Sequence, residues 1–555
     1  MRPFSVAYRA DDVADASASV VDVLVVGAGA TGAGVALDAA SRGLSVVCVD
    51  RGDLASGTSS KSSKLIHGGL RYLESYDVGL VYEGVNERQL LQRLAPHLVR
   101  PMEFVYPIFG DTARVRLVGI GLTTYDVLAG FRNVRRHQKV SAEEAVSKAP
   151  ALAGSGLLRA YVYGDCATDD ARLVLANVVA ARRFGATVLT YTDAVRLLHD
   201  DAGKCCGATV SDRLTGASYD IRARYVVNAT GVWVDALRLQ EEGEAAPMVR
   251  PSKGVHLVVD HARVPLLNAS ILMPSRQGDG RSMFAIPWGR QTILGTTDTA
   301  YDGPLDAVDV DAEDVEYILD ACNALFASSL SADDVVGAWA GCRPLLRGSD
   351  DEGMSDLSRR HSLTEGAGGL LTITGGKLTT YRRMAKDVVD RVVARDGRRA
   401  PCRTDELNLG CARPYDDVVA EVRSAAALVG VTGDDLAETL VRQHGEAAPD
   451  VVALAADDPS LASVLSPAAA HLAAEVVYAA RHEGAATLDD VFSRRTRLAL
   501  RARDAALPAA TLAASLLARE TGRDEAWAAA QVASYEAAVR RERGVLGLAS
   551  PSTAR

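Results

Sequence analysis

The sequence predicts an α/β protein built on two sheets: a dinucleotide-binding Rossmann-like fold, a second and mainly antiparallel sheet, and an all-α C-terminal domain. Three observations predict it. A glycine-rich turn sits between two β-branched runs near the N-terminus, short strand-like segments fill the middle of the chain, and the last stretch is Ala-rich with helical periodicity. At 555 residues the chain is too long for one core, so two or three domains are expected.

Val20 to Val26 is a β-branched run that reads as a strand. Gly27-Ala28-Gly29-Ala30-Thr31-Gly32 follows, then a small-residue helical stretch to Gly43, then a second strand from Ser45 to Asp50. In such a βαβ unit Gly27 permits the tight turn, Gly29 lets backbone approach a pyrophosphate, and Gly32 lets helix and strand pack closely. The helix N-terminus faces the phosphates, and Asp50 ends the second strand in position to bind a ribose hydroxyl. Strand, helix and acid in register point to dinucleotide binding and leave NAD or FAD open.

The next segment is a polar run, Ser56 to Lys64 (SGTSSKSSK), leading to Leu65-Ile66-His67-Gly68-Gly69-Leu70-Arg71-Tyr72. Hydroxyls and amides at that density read as a flavin-cradling loop. Farther on, Asp169 to Phe184 reads as a helix ended by Gly185, and Ala186 to Val195 as one strand. Arg224 to Asn228 reads as another strand, closed by Ala229-Thr230-Gly231, which brings bare backbone close to a cofactor. Phe104 to Ile108, Gly254 to Asp260, Met283 to Pro287 and Thr292 to Gly295 suit the second sheet. Gly369 to Thr374 is a last strand of the nucleotide fold, running into Gly375-Gly376-Lys377-Leu378-Thr379-Thr380 and an amphipathic helix to about Val393. The expected division is 20–100, 165–245 and 345–395 for the nucleotide domain, 101–164 and 246–344 for the substrate domain, and 405–548 for the helices. The tail after Leu548 is expected to fray.

Composition excludes several functions. A net charge of −10 argues against nucleic acid as a partner, because counterion-release binding needs clustered cations. Eight cysteines are scattered without C-x-x-C spacing or a nearby His, so no metal site is expected and a reduced, cytoplasmic compartment fits. Cys205 and Cys206 adjoin in what reads as a polar loop, incidental rather than redox-active. The first twenty residues carry Asp11, Asp12 and Asp15 and do not read as a signal peptide. The apolar stretch from Val20 to Ala40 is broken by Asp22, Asp38 and glycines, which suits a buried strand and helix; any membrane contact is then peripheral.

Seven segments in order, SSKSSKLIHGGLRYL (59–73), YGDCATDDARLVLAN (163–177), NATGVWVD (228–235), KGVH (253–256), IPWGRQTILGTTD (286–298), GCRPL (341–345) and GGKLTTYR (375–382), resemble the FAD-dependent glycerol-3-phosphate dehydrogenase family of the aerobic, quinone-linked type. The similarity runs from about Val21 to Val393, and AAEVVYAARH (473–482) with Arg494-Arg495-Thr496-Arg497 resembles the family's helical C-terminal domain. The resemblance implies a glutathione-reductase-like FAD domain and a substrate domain of the amino-acid-oxidase type. It implies FAD as cofactor, oxidation of sn-glycerol 3-phosphate to dihydroxyacetone phosphate, and electrons passed to a membrane quinone. It also implies a homodimer, cytoplasmic or peripheral on the inner face of the cell membrane. Cofactor contacts are expected at Gly27, Gly29, Gly32, Asp50, Thr58, Ser59, Ser60, Ser63, Leu65, Val195, Ala229, Gly231, Gly375, Gly376, Lys377, Leu378 and Thr379.

Oxidising a secondary alcohol needs a base for the hydroxyl proton and an acceptor for the hydride, here the flavin N5. His67 and His256 both suit the base, with His67 nearer the flavin by resemblance. A phosphate needs converging cations, for which Arg71 with Tyr72, Arg343 and Arg359 are the candidates; Arg343 also counts with the histidines as catalytic. Arg360 adjoins Arg359 and fits the same role, while Lys377 is expected between substrate and flavin edge. The cluster Arg494, Arg495, Arg497, Arg501 and Arg503 reads as a solvated helical face, with attraction to anionic lipid or a partner chain as the alternative. Competing functions are an oxygen-using oxidase of the same substrate, an amine or amino-acid oxidase of the same fold, a non-catalytic FAD-binding sensor, and a NAD-dependent dehydrogenase.

Overall fold

The computed structural model describes residues 2–70, 77–110, 112–130, 133–274, 282–348 and 360–548. Its first sheet places the strands in the order His361–Glu365, Leu371–Gly375, Ser218–Asn228, Val21–Val26, Val46–Val49, Thr187–Leu189. Val21–Val26 is central and parallel to both neighbours, so it is buried on both faces and carries almost only Val and Leu. Val23 and Val25 point to one face, where helices Ala30–Ser41, Asp170–Arg183 and Tyr381–Asp396 cover the sheet. Leu24 and Val26 point to the other, against the antiparallel strands Thr192–His199 and Cys205–Asp212 and the helix Val234–Glu242. The Val20 to Ala40 stretch is thus the buried strand and helix that its charges and glycines predict.

The second sheet runs Thr299–Ala300, Val249–Asp260, Gln291–Gly295, Ser282–Trp288, Ala269–Pro274, Arg100–Phe109, Leu157–Ala167, Leu65–Ile66, with Val335–Leu346 also paired to Val249–Asp260. Its pairs are antiparallel except Ala269–Pro274 beside Arg100–Phe109. Leu65–Ile66 joins this sheet although it lies inside 20–100, so the chain crosses between sheets directly after the polar loop.

Three readings need correction. Ala186 to Val195 is two strands, because Thr190 and Tyr191 turn the chain, with Tyr191 at φ 54°. The first piece lies parallel to Val46–Val49 and the second starts an antiparallel meander. Cys205 and Cys206 open a strand rather than lie in a loop, and burial pushes the Cys205 thiol up to about 11. The helical domain contains a small hairpin, Val464–Ser466 with Ala469–Leu472. A helix at Arg9–Ala18, which no sequence signal marked, seats on the nucleotide fold through Arg9 to Asp212 (2.8 Å) and Asp12 to Arg182 (3.1 Å).

The arginine cluster is the largest correction. Arg494, Arg495, Arg497 and Arg503 are buried, and Arg501 lies over the Trp288 ring at 5.2 Å. A charge leaves water only when paired. Here Asp53 pairs Arg494 and Arg495, and Asp169 and Asp170 pair Arg497. Neither a solvated face nor a lipid-facing one survives. Among the described residues no helix is long and apolar enough to cross a membrane, and no cluster of ligating side chains could hold a metal ion. The tail after Leu548 lies outside the described residues.

Candidate active site

A cavity of about 690 Å³ opens where the carboxyl ends of the parallel strands meet the second sheet. Its floor is bare backbone. Gly27 has φ 104°, and a Cβ there would stand 2.6 Å from the Ala229 carbonyl oxygen; a Cβ on Gly32 would stand 1.8 Å from that of Gly27. Gly32 does not itself line the cavity but lets helix Ala30–Ser41 close onto the turn. Asp50 lines the cavity and accepts hydrogen bonds from the Ala28 and Gly52 amides at 2.7 and 2.9 Å. Burial pushes its carboxyl up to about 6 against the pull of those two amides.

The polar run forms one wall. Ser59 Oγ accepts from the Ala30 amide at 2.9 Å, tying the loop to the helix start, and Thr58 donates to the Cys342 carbonyl at 2.6 Å, tying it to the second sheet. Ser63 and His256 Nε2 meet at 2.9 Å. Thr58, Ser59, Ser63, Leu65, Ala229, Gly231, Gly375, Gly376, Lys377, Leu378 and Thr379 all line the cavity, as do Gly27 and Gly29. Ser60 and Val195 do not. The Ser60 carbonyl accepts from Lys64 Nζ at 3.1 Å. Val195 is 50% exposed at an irregularity in its strand, and Thr192, Asp193 and Ala194 line the cavity in its place.

At the other end, His67, His256, Arg343 and Lys377 converge on the cavity. His67 is held through its backbone, whose amide donates to Thr379 Oγ1 at 3.1 Å and whose carbonyl accepts from the same hydroxyl at 3.2 Å. The next amide, Gly68, donates at 2.9 Å to the buried Tyr125 hydroxyl, which in turn donates to Asp165, the partner of the fully buried Arg88. His256 stacks on Trp339 at 5.0 Å, and its Nδ1 has no hydrogen-bond partner among the described residues. Burial, reinforced by the Arg343 and Lys64 charges, presses its pKa well below the usual imidazole value. Arg343 lies against Gly254, where a Cβ would meet its guanidinium at 2.3 Å, and donates to Thr296 (2.9 Å) and Asp298 (3.3 Å). Gly375 and Gly376 have φ 76° and 69°, a left-handed pair that turns the chain so Lys377 caps the short helical turn Leu378–Thr380.

Arg71, Tyr72 and Arg359 lie outside the described residues. Arg360 is 66% exposed and pairs with Asp77 at 2.8 Å; it does not line the cavity, although its carbonyl accepts from the amide of cavity-lining Gly376 at 3.1 Å. Sequence reasoning missed Thr296 and Asp298, which hold Arg343, and Trp233, whose ring carries the Arg51 guanidinium at 4.4 Å at the cavity edge. All three lie in or beside motifs that had been singled out, but nothing local assigns them a partner.

The cradle fits FAD: glycine backbone for a pyrophosphate, a buried carboxylate for a ribose, and a hydroxyl-rich wall. Residues 22–382 match the model of the FAD dependent oxidoreductase family, and residues 402–528 match the C-terminal domain of alpha-glycerophosphate oxidase. Glycerol-3-phosphate dehydrogenase 2 of Mycobacterium tuberculosis is 40% identical over 536 residues, 96% of this chain and 89% of the relative. The aerobic glycerol-3-phosphate dehydrogenase of Staphylococcus aureus is 37% identical over 76% of this chain and 78% of its own. The crystal structure of glycerol-3-phosphate dehydrogenase from Bacillus halodurans, complexed with FAD, superposes with a TM-score of 0.80 at 31% identity, covering 98% of both chains. The chain therefore belongs to the FAD dependent oxidoreductase family, within the branch formed by the glycerol-3-phosphate dehydrogenases.

Proposed function

We propose that the chain oxidises sn-glycerol 3-phosphate to dihydroxyacetone phosphate. One observation carries the reading: two histidines, an arginine and a lysine from four separate segments line the same cavity as the glycine cradle. When bound, FAD supplies the acceptor for the hydride. The protein's side chains do the rest. His67 takes the hydroxyl proton; His256, whose imidazole burial favours in the neutral form, is hydrogen-bonded to Ser63 and orients the carbinol. Arg343, fixed by Thr296 and Asp298, offers charge-assisted donors where negative charge develops on the carbinol oxygen. Arg71, Tyr72 and Arg359 are assigned to the phosphate, and Lys377 to the edge between substrate and flavin. Anaerobic titration with glycerol 3-phosphate tests this: the oxidised flavin spectrum bleaches with one equivalent, whereas a spectrum unchanged at saturating substrate refutes the reading.

Electrons then pass to a quinone at the inner face of the cell membrane. Support comes from an exposed apolar strip on the helix Thr112–Leu128, with Leu117 at 69%, Ile120 at 66% and Val127 at 53%. Ile120→Glu with Leu117→Glu weakens co-sedimentation with anionic vesicles if this strip docks. The match of 402–528 to an oxidase's C-terminal domain favours one second reading, oxygen as acceptor. Peroxide production in air, compared with quinone reduction, separates the two. The expected assembly is a homodimer, checked by light scattering.

A further inference from the structure

Among the described residues none beyond Met384 lines the cavity, so the helical domain touches the cofactor site only from outside. It does so through two fully buried carboxylates. Asp53 receives Arg495 through both oxygens, at 2.6 and 2.9 Å, and Arg494 at 2.5 Å. Asp170 receives Arg497, and its neighbour Asp169 receives the same guanidinium at 2.6 Å. The donors come from one short segment, which Tyr191 also grips through Asp490 at 2.5 Å.

Each carboxylate anchors a different wall. Asp53 sits in the turn that follows Asp50, and this turn returns to the glycine floor through the Ala55 amide on the Ala28 carbonyl at 3.2 Å. Asp170 accepts from Ser62 Oγ at 2.7 Å and from Lys64 Nζ at 3.0 Å, so it holds the polar loop that carries Ser59 and Ser63. Without the arginines Asp53 would be buried without the cations that pair it and Asp170 would keep Lys64 alone, and the cheapest relief is for the turn and the loop to move out to water. That movement opens the cradle.

We infer that the helical domain is a cofactor-retention element, with Arg494, Arg495 and Arg497 as positioning residues that keep the two cradle segments closed over FAD. The coupling is reciprocal, so bound FAD also tightens the docking of the segment 490–497. This rests on the cavity being the FAD site.

The test follows flavin release from the holoenzyme by fluorescence. Arg495→Met speeds release at least about tenfold, and Arg495→Lys, which keeps the charge without the bidentate fork, falls between that and wild type. Arg290→Ala, which removes an exposed pair between Arg290 and Asp435 of the helical domain, leaves release unchanged. Equal release rates in all four proteins overturn the inference while leaving the FAD reading intact; a wild type that never holds flavin overturns that reading instead. Should Arg495→Met not fold, hydrogen exchange on the wild type decides. Amides of 490–497 exchange more slowly in the holoenzyme than after the flavin is stripped, and identical exchange refutes the coupling.

Discussion

The two ends of the cavity are built in opposite ways. At the cradle end the glycine turn itself is held by near neighbours: Asp50 holds the Ala28 amide across 22 residues, and Ser59 holds that of Ala30 across 29. At the substrate end both histidines depend on distant chain. His67 leans on Thr379 across 312 residues, and His256 meets Ser63 across 193. The glycine turn of the first end is a local motif with a shape fixed by missing side chains, and the second end is an appointment kept by two sheets.

This difference predicts how each end fails. Gly32→Ala should do the most damage, because the added Cβ meets the Gly27 carbonyl at 1.8 Å and the helix cannot close on the turn. We expect about 3 kcal/mol of lost stability and colourless protein; a yellow variant with wild-type melting would show that the local design is tolerant. His67→Ala should slow flavin reduction by roughly 10²–10⁴-fold with FAD still bound, read by anaerobic stopped flow. Full activity would remove it as base. Arg343→Ala should cost about 1.5–3 kcal/mol in kcat/KM, a loss of charge-assisted contacts with little change in flavin content; unchanged kinetics would exclude it from the site.

The smallest effect is a pH dependence confined to the cradle. Without ligand the Asp50 carboxyl is pushed up to about 6, whereas ribose hydroxyls donating to it favour the ionised form. Below about pH 6 a proton must therefore leave before FAD binds, so affinity should fall about tenfold per pH unit there and level off above. Titrating flavin-stripped protein between pH 5 and 7.5 measures this, and a flat profile would remove Asp50 from the ribose.

The same contrast explains what could be read from residues alone. Val21–Val26, the glycine turn and Asp50 are legible because period, turn chemistry and acid lie within one short unit. Ser60 and Val195 do not line the cavity, because membership of a polar loop or a strand does not say which way a residue faces, and a turn at Tyr191 changed the register. The arginine run misled for a deeper reason. Charge clusters are usually solvated, and only the fold shows that Asp53, Asp169 and Asp170 wait opposite. Asp298 lay in a quoted motif, yet its work on Arg343 depends on a 45-residue detour that no local pattern encodes.

The bond from Asp53 to Arg495 spans 442 residues. During synthesis the glycine turn emerges early, but the carboxylate beside it stays hydrated until the segment 490–497 has followed it out of the ribosome. Flavin loading by the nascent chain is consequently a late event, and a message truncated before codon 490 yields a polypeptide that carries the nucleotide motif without the means to keep its ligand.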